Sequence, residues 1–199
     1  MRQAVRVTQV LAVFLMMAAC KPIPTAPDPD DTGVLDRTYR NSDWGFSISA
    51  PQDSLWSLSA TQFLAEREPN GLSPVQVILR RASLGGQSRP AMLLSSFGTN
   101  QDEQLEAVAD AFDAIYATDF VNYNTFGGDR TTGTVGGVPS SEWQFRAREP
   151  QGGIHTGNNR YLAVVFLSGN KVFTVLCSGR QEAFPEDDFR SILSTFRFE

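Results

Sequence analysis

The chain has 199 residues, 41% hydrophobic and 20% charged, which is enough for one globular core and short for two. Arg2 and Arg6 are two of its 17 basic residues, so everything after residue 19 carries 15 basic against 22 acidic side chains, a net charge of −7. That sign does not suit nucleic acid, whose affinity comes from neutralising phosphates, and a single histidine makes a zincin motif impossible.

In chain order, Arg2 and Arg6 precede an uncharged run from Val7 to Ala19. Its apolar part, Val10 to Ala19, has the length of a signal-peptide core and falls short of the ~20 residues a bilayer span needs. It ends in Met17-Ala18-Ala19-Cys20, which resembles the lipobox of bacterial lipoproteins, with Met in place of the usual Leu. The resemblance implies cleavage between Ala19 and Cys20 and diacylglycerol on the Cys20 thiol. In many bacteria a further acyl chain such as palmitate follows on the amine. Two or three acyl chains anchor stably where one would be marginal. Lys21, where an Asp would signal inner-membrane retention, points to the outer membrane facing the periplasm in a Gram-negative cell; elsewhere the outer face of the cytoplasmic membrane is expected. Residues 1–19 are thus a signal peptide, 20–36 the lipidated cysteine and a tether, and 37–199 the domain.

The tether is clearest from Lys21 to Gly33, where Pro22, Pro24, Pro27 and Pro29 leave little to bury. At ~3.1 Å per residue it reaches up to ~40 Å. Asp28, Asp30, Asp31 and Gly33 partly imitate a calcium loop, but Thr32 and Tyr39 occupy two ligand positions and the prolines deny an entering helix. A solvated spacer, with no metal, is the reading.

Beyond Leu35, Phe46 and Ile48 alternate with Ser47 and Ser49 before Pro51, a short strand. Trp56 to Thr61 is a second, and Val75, Val77 and Leu79, alternating with Gln76 and Arg80, make a third. A helix capped by Thr99 or Asn100 is expected to run to about Phe120, with Asp102 and Glu103 in its first turn and Leu105, Val108, Phe112, Ile115 and Tyr116 on one face. Trp143, Phe145 and Ala147 alternate with Glu142, Gln144, Arg146 and Arg148, a strand expected to bury one face only. Tyr161 to Leu167 and Val172 to Cys177 flank Ser168-Gly169-Asn170-Lys171, a hairpin turn signal. A last helix starts near Pro185, with Glu186, Asp187 and Asp188 in its first turn and Phe189, Ile192 and Leu193 inward. That acidic run is helix chemistry rather than metal ligation. Cys177, left without a partner once Cys20 is lipidated, is expected to be a small buried hydrophobe.

Tyr39 with Trp44-Gly45-Phe46-Ser47-Ile48, Pro51 and Trp56 resembles the opening of PsbP-like and DcrB-like domains, and Phe189, Ile192, Leu193, Ser194, Phe196 and Phe198 resemble their closing helix and short aromatic strand. The resemblance spans most of Arg37 to Glu199. It implies an α+β fold, an antiparallel sheet with helices packed on it in a PsbP-like sandwich, and a family whose members are mostly non-catalytic binders.

His155, in the loop Gln151 to Asn159, is the only histidine, and there is no G-x-S-x-G elbow, G-x-G-x-x-G turn or P-loop. Glu66, Glu68, Glu142 and Glu149 are available as paired carboxylates, as acids are in almost any chain. Arg146 and Arg148 share a strand face, with Arg80 a candidate third member, and could meet an anion or a carboxylate-bearing partner. The glycine-rich stretches Gly127 to Gly137 and Gln151 to Asn159 are expected to be loops that contact a partner. The expectation is therefore a lipid-anchored, non-catalytic envelope protein that needs no cofactor and binds another envelope protein or assists assembly. The competing readings are an envelope hydrolase using carboxylates or His155, and a carrier of a small apolar ligand.

Overall fold

Alternating apolar and polar residues, joined by tight turns, fold most of the chain into antiparallel strands. The structure, a computed structural model, describes residues 32–52, 55–82, 90–99, 103–148 and 159–199. A seven-stranded sheet runs in the order β4 (Trp56–Gln62), β5 (Val75–Arg81), β6 (Ala91–Gly98), β10 (Lys171–Arg180), β9 (Asn159–Ser168), β8 (Val138–Arg148) and β7 (Val121–Val135). A four-stranded sheet, β1 (Thr32–Leu35), β2 (Thr38–Asn41), β3 (Phe46–Ser49) and β11 (Arg197–Phe198), packs on one face of it. Helix α1 (Leu105–Asp119) packs on the other face, over β7, β8 and β9, and α2 (Glu186–Leu193) lies beside β3. The expected antiparallel architecture is present. The layer on one face, however, is mostly a second sheet rather than helices.

Two apolar clusters hold these layers. Between the sheets, Phe46 stacks on Phe196 at 5.3 Å and Phe166 on Phe173 at 5.3 Å, with Trp44 and Ile48 fully buried beside them. Under α1, Phe112, Ile115 and Tyr116 meet Phe145, Ala147, Tyr161 and Val165. Burying each such side chain is worth about 1.5–3 kcal/mol, so the two clusters dominate the stability of the fold. Cys177 sits in the first cluster with no disulfide partner among the described residues, and burial pushes its thiol well above the usual range.

The hairpin at Gly169 and Asn170 forms as expected, with Ser168 paired to Lys171. Other elements differ from expectation. β1 begins at Thr32, inside the stretch 20–36 assigned to the tether, because Thr32–Leu35 finds a ladder with Thr38–Asn41. The stretch Gly127 to Gly137 is not a loop: β7 runs through it, and Gly136 and Gly137, at φ +59 and +86, supply the two left-handed residues of the turn into β8. Helix α1 starts at Leu105 with Gln104 at the cap position and no side-chain cap. Thr99 instead donates its backbone N–H to the Asn170 carbonyl at 2.9 Å, tying β6 to the β9–β10 turn; Asn100 and Asp102 lie outside the described residues. β8 buries more than one face, since Ser140 and Glu142 are buried as well as Trp143, Phe145 and Ala147. Pro185 stands one place before α2.

Candidate functional site

The face of β8 and β9 that meets the small sheet through Leu162, Val164 and Phe166 also carries polar side chains. On that face Glu142, Gln144 and Arg146 alternate along β8, opposite Val164, Leu162 and Arg160 of β9. Glu142 is only 6% exposed. It fits because the neighbouring strand carries Gly133, where a Cβ would collide with the Glu142 carboxylate. The Ser140 hydroxyl donates to Glu142 Oε1 at 3.2 Å, and Arg190 reaches down from α2 to donate to Oε2. One helical turn earlier, Glu186 pairs with Arg190 at 3.5 Å and with Arg160 at 2.7 Å, while Arg160 Nε donates to Gln144 Oε1 at 3.0 Å. Burial of the Arg190 guanidinium works against its charge, and the hydrogen bond and charge of Glu142, with Glu186, outweigh it and raise its pKa. A cleft of about 260 Å³ opens here, lined by Phe126, Asp129, Glu142, Gln144, Arg160 and Arg190 among others. Its rim is a break in the β7–β8 register between Phe126 and Thr131, where Gly127 and Gly128 take φ of +89° and +95°.

Farther along β8, Arg146 is exposed and its guanidinium lies over the Phe126 ring at 4.6 Å. Arg160, directly opposite in register, lies 5.3 Å from the same ring and 4.7 Å from that of Phe184. Like charges opposed across a ladder repel. Arg160 is balanced by Glu186; among the described residues, Arg146 has no ion-pair partner. A second cleft of about 270 Å³ is lined by Asn122, Asn124, Arg146, Ala147 and Gln181. Arg148, exposed two residues on, shares the face of Arg146 and pairs in register with Val121. Arg80 does not join them. It sits on β5, four strand spacings (~19 Å) from β8, and on the opposite face from the buried Val77 and Leu79.

The candidate carboxylates do not converge. Glu66 and Glu68 lie in the β4–β5 connection, where Glu68 is buried against the Gly98 backbone N–H and burial raises its pKa. Gly98 ends β6, three strand spacings (~14 Å) from the strand that carries Glu142. Among the described residues no three His, Cys, Asp or Glu side chains gather as metal ligands. Two of the three acids of the α2 run are taken up in ion pairs, Glu186 as above and Asp188 with Arg81 at 2.9 Å, and Asp187 is exposed. Ala19, Cys20, Glu149 and His155 lie outside the described residues.

On the α1 face of the same ribbon, Arg130 pairs with Asp113 at 2.9 Å and also with Asp110, and lies over the Trp143 ring at 5.0 Å. Tyr123 donates to Asp113 and accepts from Trp143 Nε1 at 3.2 Å. Burial, then the hydrogen bond and charge of Asp113, push its phenol above the ordinary range.

The sequence reading missed Asn122, Asn124, Phe126 and Gln181. The signal that was present is Gly136-Gly137 between Val135 and Val138. Reading it as a hairpin would have paired β7 with β8 and brought Phe126 beside the alternating arginines.

No protein-family model matches the chain, and no curated protein matches its sequence. Among solved structures, the chain is similar to the solution structure of cyanobacterial PsbP (CyanoP) from Synechocystis, with a TM-score of 0.52 and 13% identity over 90% of this chain and 100% of that one. A crystal structure from Bacteroides thetaiotaomicron aligns with 78% of this chain at 10% identity and a TM-score of 0.48; the chain spans 45% of that protein's length. The likeness to CyanoP, at that identity, speaks to architecture alone: the fold of this chain is PsbP-like.

Proposed function

We propose that this is a lipid-anchored, non-catalytic component of the bacterial envelope that binds another protein there. The observation that carries the binding half is the contrast in how charge is used on the open face. The buried acid Glu142 is already held by Arg190 and Ser140, whereas Arg146 is turned outward with no counter-charge among the described residues. Both oxygens of the Glu142 carboxylate are already engaged by donors of the protein itself. The interior between the sheets is filled by stacked rings, and each open cleft mixes apolar wall with charged or amide side chains, Glu142, Arg160 and Arg190 in one and Asn122, Asn124, Arg146 and Gln181 in the other, which favours a protein partner over an apolar cargo. The anchoring half rests on the lipobox and its cysteine.

Two measurements test it. Intact mass of the membrane-extracted protein should show a chain beginning at Cys20 and carrying acyl mass; a chain that retains Met1 to Ala19 rejects the anchor. A photo-crosslinker placed at Asn124 in living cells should trap one defined protein, and the same group at Ser57, on the far edge of the sheet, should not. Hydrolysis of an envelope polymer that disappears with Glu142→Gln would replace the binding reading with a catalytic one.

A further inference from the structure

We infer that the notch between Asn122, Asn124, Arg146 and Gln181 seats a single carboxylate side chain of the partner protein, an inference that rests on the protein-binding reading and specifies its contact. Five observations converge. Arg81, Arg130, Arg160 and Arg190 each face a carboxylate; among the described residues Arg146 does not, nor do the exposed Arg80, Arg148 and Arg180, but of these Arg146 is the one that lies over an aromatic ring and lines a cleft. The Phe126 ring occupies one face of the Arg146 guanidinium, and among the described residues no carboxylate meets its N–H edge, which has the forked geometry a carboxylate accepts.

The notch is also opened by the backbone. Between Val121 and Asn124 the β7–β8 register slips, so Asn122 and Tyr123 stand opposite Ala147 alone, with Asn122 at φ +59°. Bulges of this kind occur at strand edges beside functional sites, where they re-aim side chains. The remaining polar walls are primary amides, each with donors and an acceptor, which match the C=O and N–H groups flanking an acidic side chain. Finally, the surroundings select the source of the carboxylate. With a net charge of −7 beyond residue 19, the chain repels an extended polyanion such as nucleic acid or an anionic bilayer, while one carboxylate on a peptide needs only the local cation.

The test is an NMR titration of the full chain in detergent micelles with N-acetyl-Gly-Glu-Gly-amide and with its Gln counterpart. It follows the Arg146 Nε–H and the side-chain amides of Asn122, Asn124 and Gln181. Saturable shifts at these groups are expected with the Glu peptide, and binding should weaken at least about tenfold with the Gln peptide or with Arg146→Gln. Arg146→Lys should fall between, since it keeps the charge and loses the fork. Arg80→Gln, on the opposite face, should bind as the parent does. The inference is overturned if Arg146→Gln binds equally well, if inorganic phosphate at the same concentration displaces the peptide as well as free peptide does, or if anionic phosphatidylglycerol vesicles reproduce the shifts. A silent titration with a partner trapped from Asn124 in cells rejects the notch and leaves the binding reading standing. Clear shifts with no partner trapped support the notch and reject that reading.

Discussion

Arg130 and Arg146 occupy opposite faces of one ribbon, β7 and β8, and each guanidinium lies over an aromatic ring, Trp143 for the first and Phe126 for the second. Their surroundings differ in everything else. Arg130 is closed by Asp110, Asp113 and the packed helix α1, while Arg146 is exposed, with Asn124 and Arg160 as its ladder neighbours and no carboxylate beside it among the described residues. The same local motif thus serves stability on one face and is left available on the other. What decides is whether a helix brings carboxylates to it.

The first way to break that comparison is to remove what makes the α1 face closed. Phe145 is fully buried there, with ring centroids of Tyr123 at 4.6 Å, Tyr161 at 4.8 Å and Tyr116 at 5.6 Å. Phe145→Ala should destabilise by about 3–5 kcal/mol, the transfer loss plus a cavity that rigid neighbours cannot fill. Urea unfolding gives the value, and a loss under about 1 kcal/mol would mean α1 is not packed as described. Arg130→Met is the next test. It keeps the apolar stem over Trp143 and deletes the pairing to Asp113, so a loss of about 1–2 kcal/mol is expected by the same measurement. The pair with Asp110, whose side chain is 74% exposed, should contribute little of it.

Local pattern carried the elements that bury one face. Phe46 and Ile48, Val75 to Leu79, and Trp143 to Ala147 announce themselves by alternation, and Pro185 with its acidic run announces α2. β6 was invisible because Ala91–Gly98 is buried almost throughout, so no period of two survives. β7 was invisible for the opposite reason. As an edge strand it is exposed on both sides for most of its length, and Gly127 and Gly128 interrupt its pairing. The site followed the same rule. Arg146 was legible as an outward residue on an alternating strand, whereas Phe126 and Gln181 reach it only through register and topology, which no short window encodes. Likewise the burial of Glu142 depends on Gly133 and Arg190, on two other elements.

Glu68 sharpens the comparison from the acidic side, as a buried carboxylate whose support is a backbone N–H rather than an arginine. Burial raises its folded pKa above the ordinary 4.5, with the Gly98 hydrogen bond opposing and the Glu66 charge adding. A raised acid binds its proton more tightly when folded, so its favourable contribution is complete below the unfolded value and is lost as pH rises through the folded one. Glu68→Gln, which can still accept from Gly98, should therefore be more stable than the parent at pH 7 and lose that advantage at pH 4. Urea midpoints at the two values check this, and a parent more stable than Glu68→Gln at pH 7 would show that the carboxylate is favourably paired.

The smallest effect is expected where the comparison makes its strongest claim. Arg146 is exposed, makes no ion pair among the described residues, and stands opposite Arg160, whose charge repels it. Its favourable contact is the Phe126 ring, worth about 0.5–1 kcal/mol at an exposed site. Removing the charge relieves the repulsion from Arg160 while losing that contact, and the two terms are of similar size and opposite sign. Arg146→Gln should accordingly change the urea midpoint by no more than about 0.5 kcal/mol, against the larger loss for Arg130→Met. Equal losses at the two positions would mean that Arg146 is as firmly closed as Arg130. A side chain that can be removed without loss of stability, from a strand otherwise anchored by Phe145 and Glu142, is one whose position the fold leaves open to selection for binding.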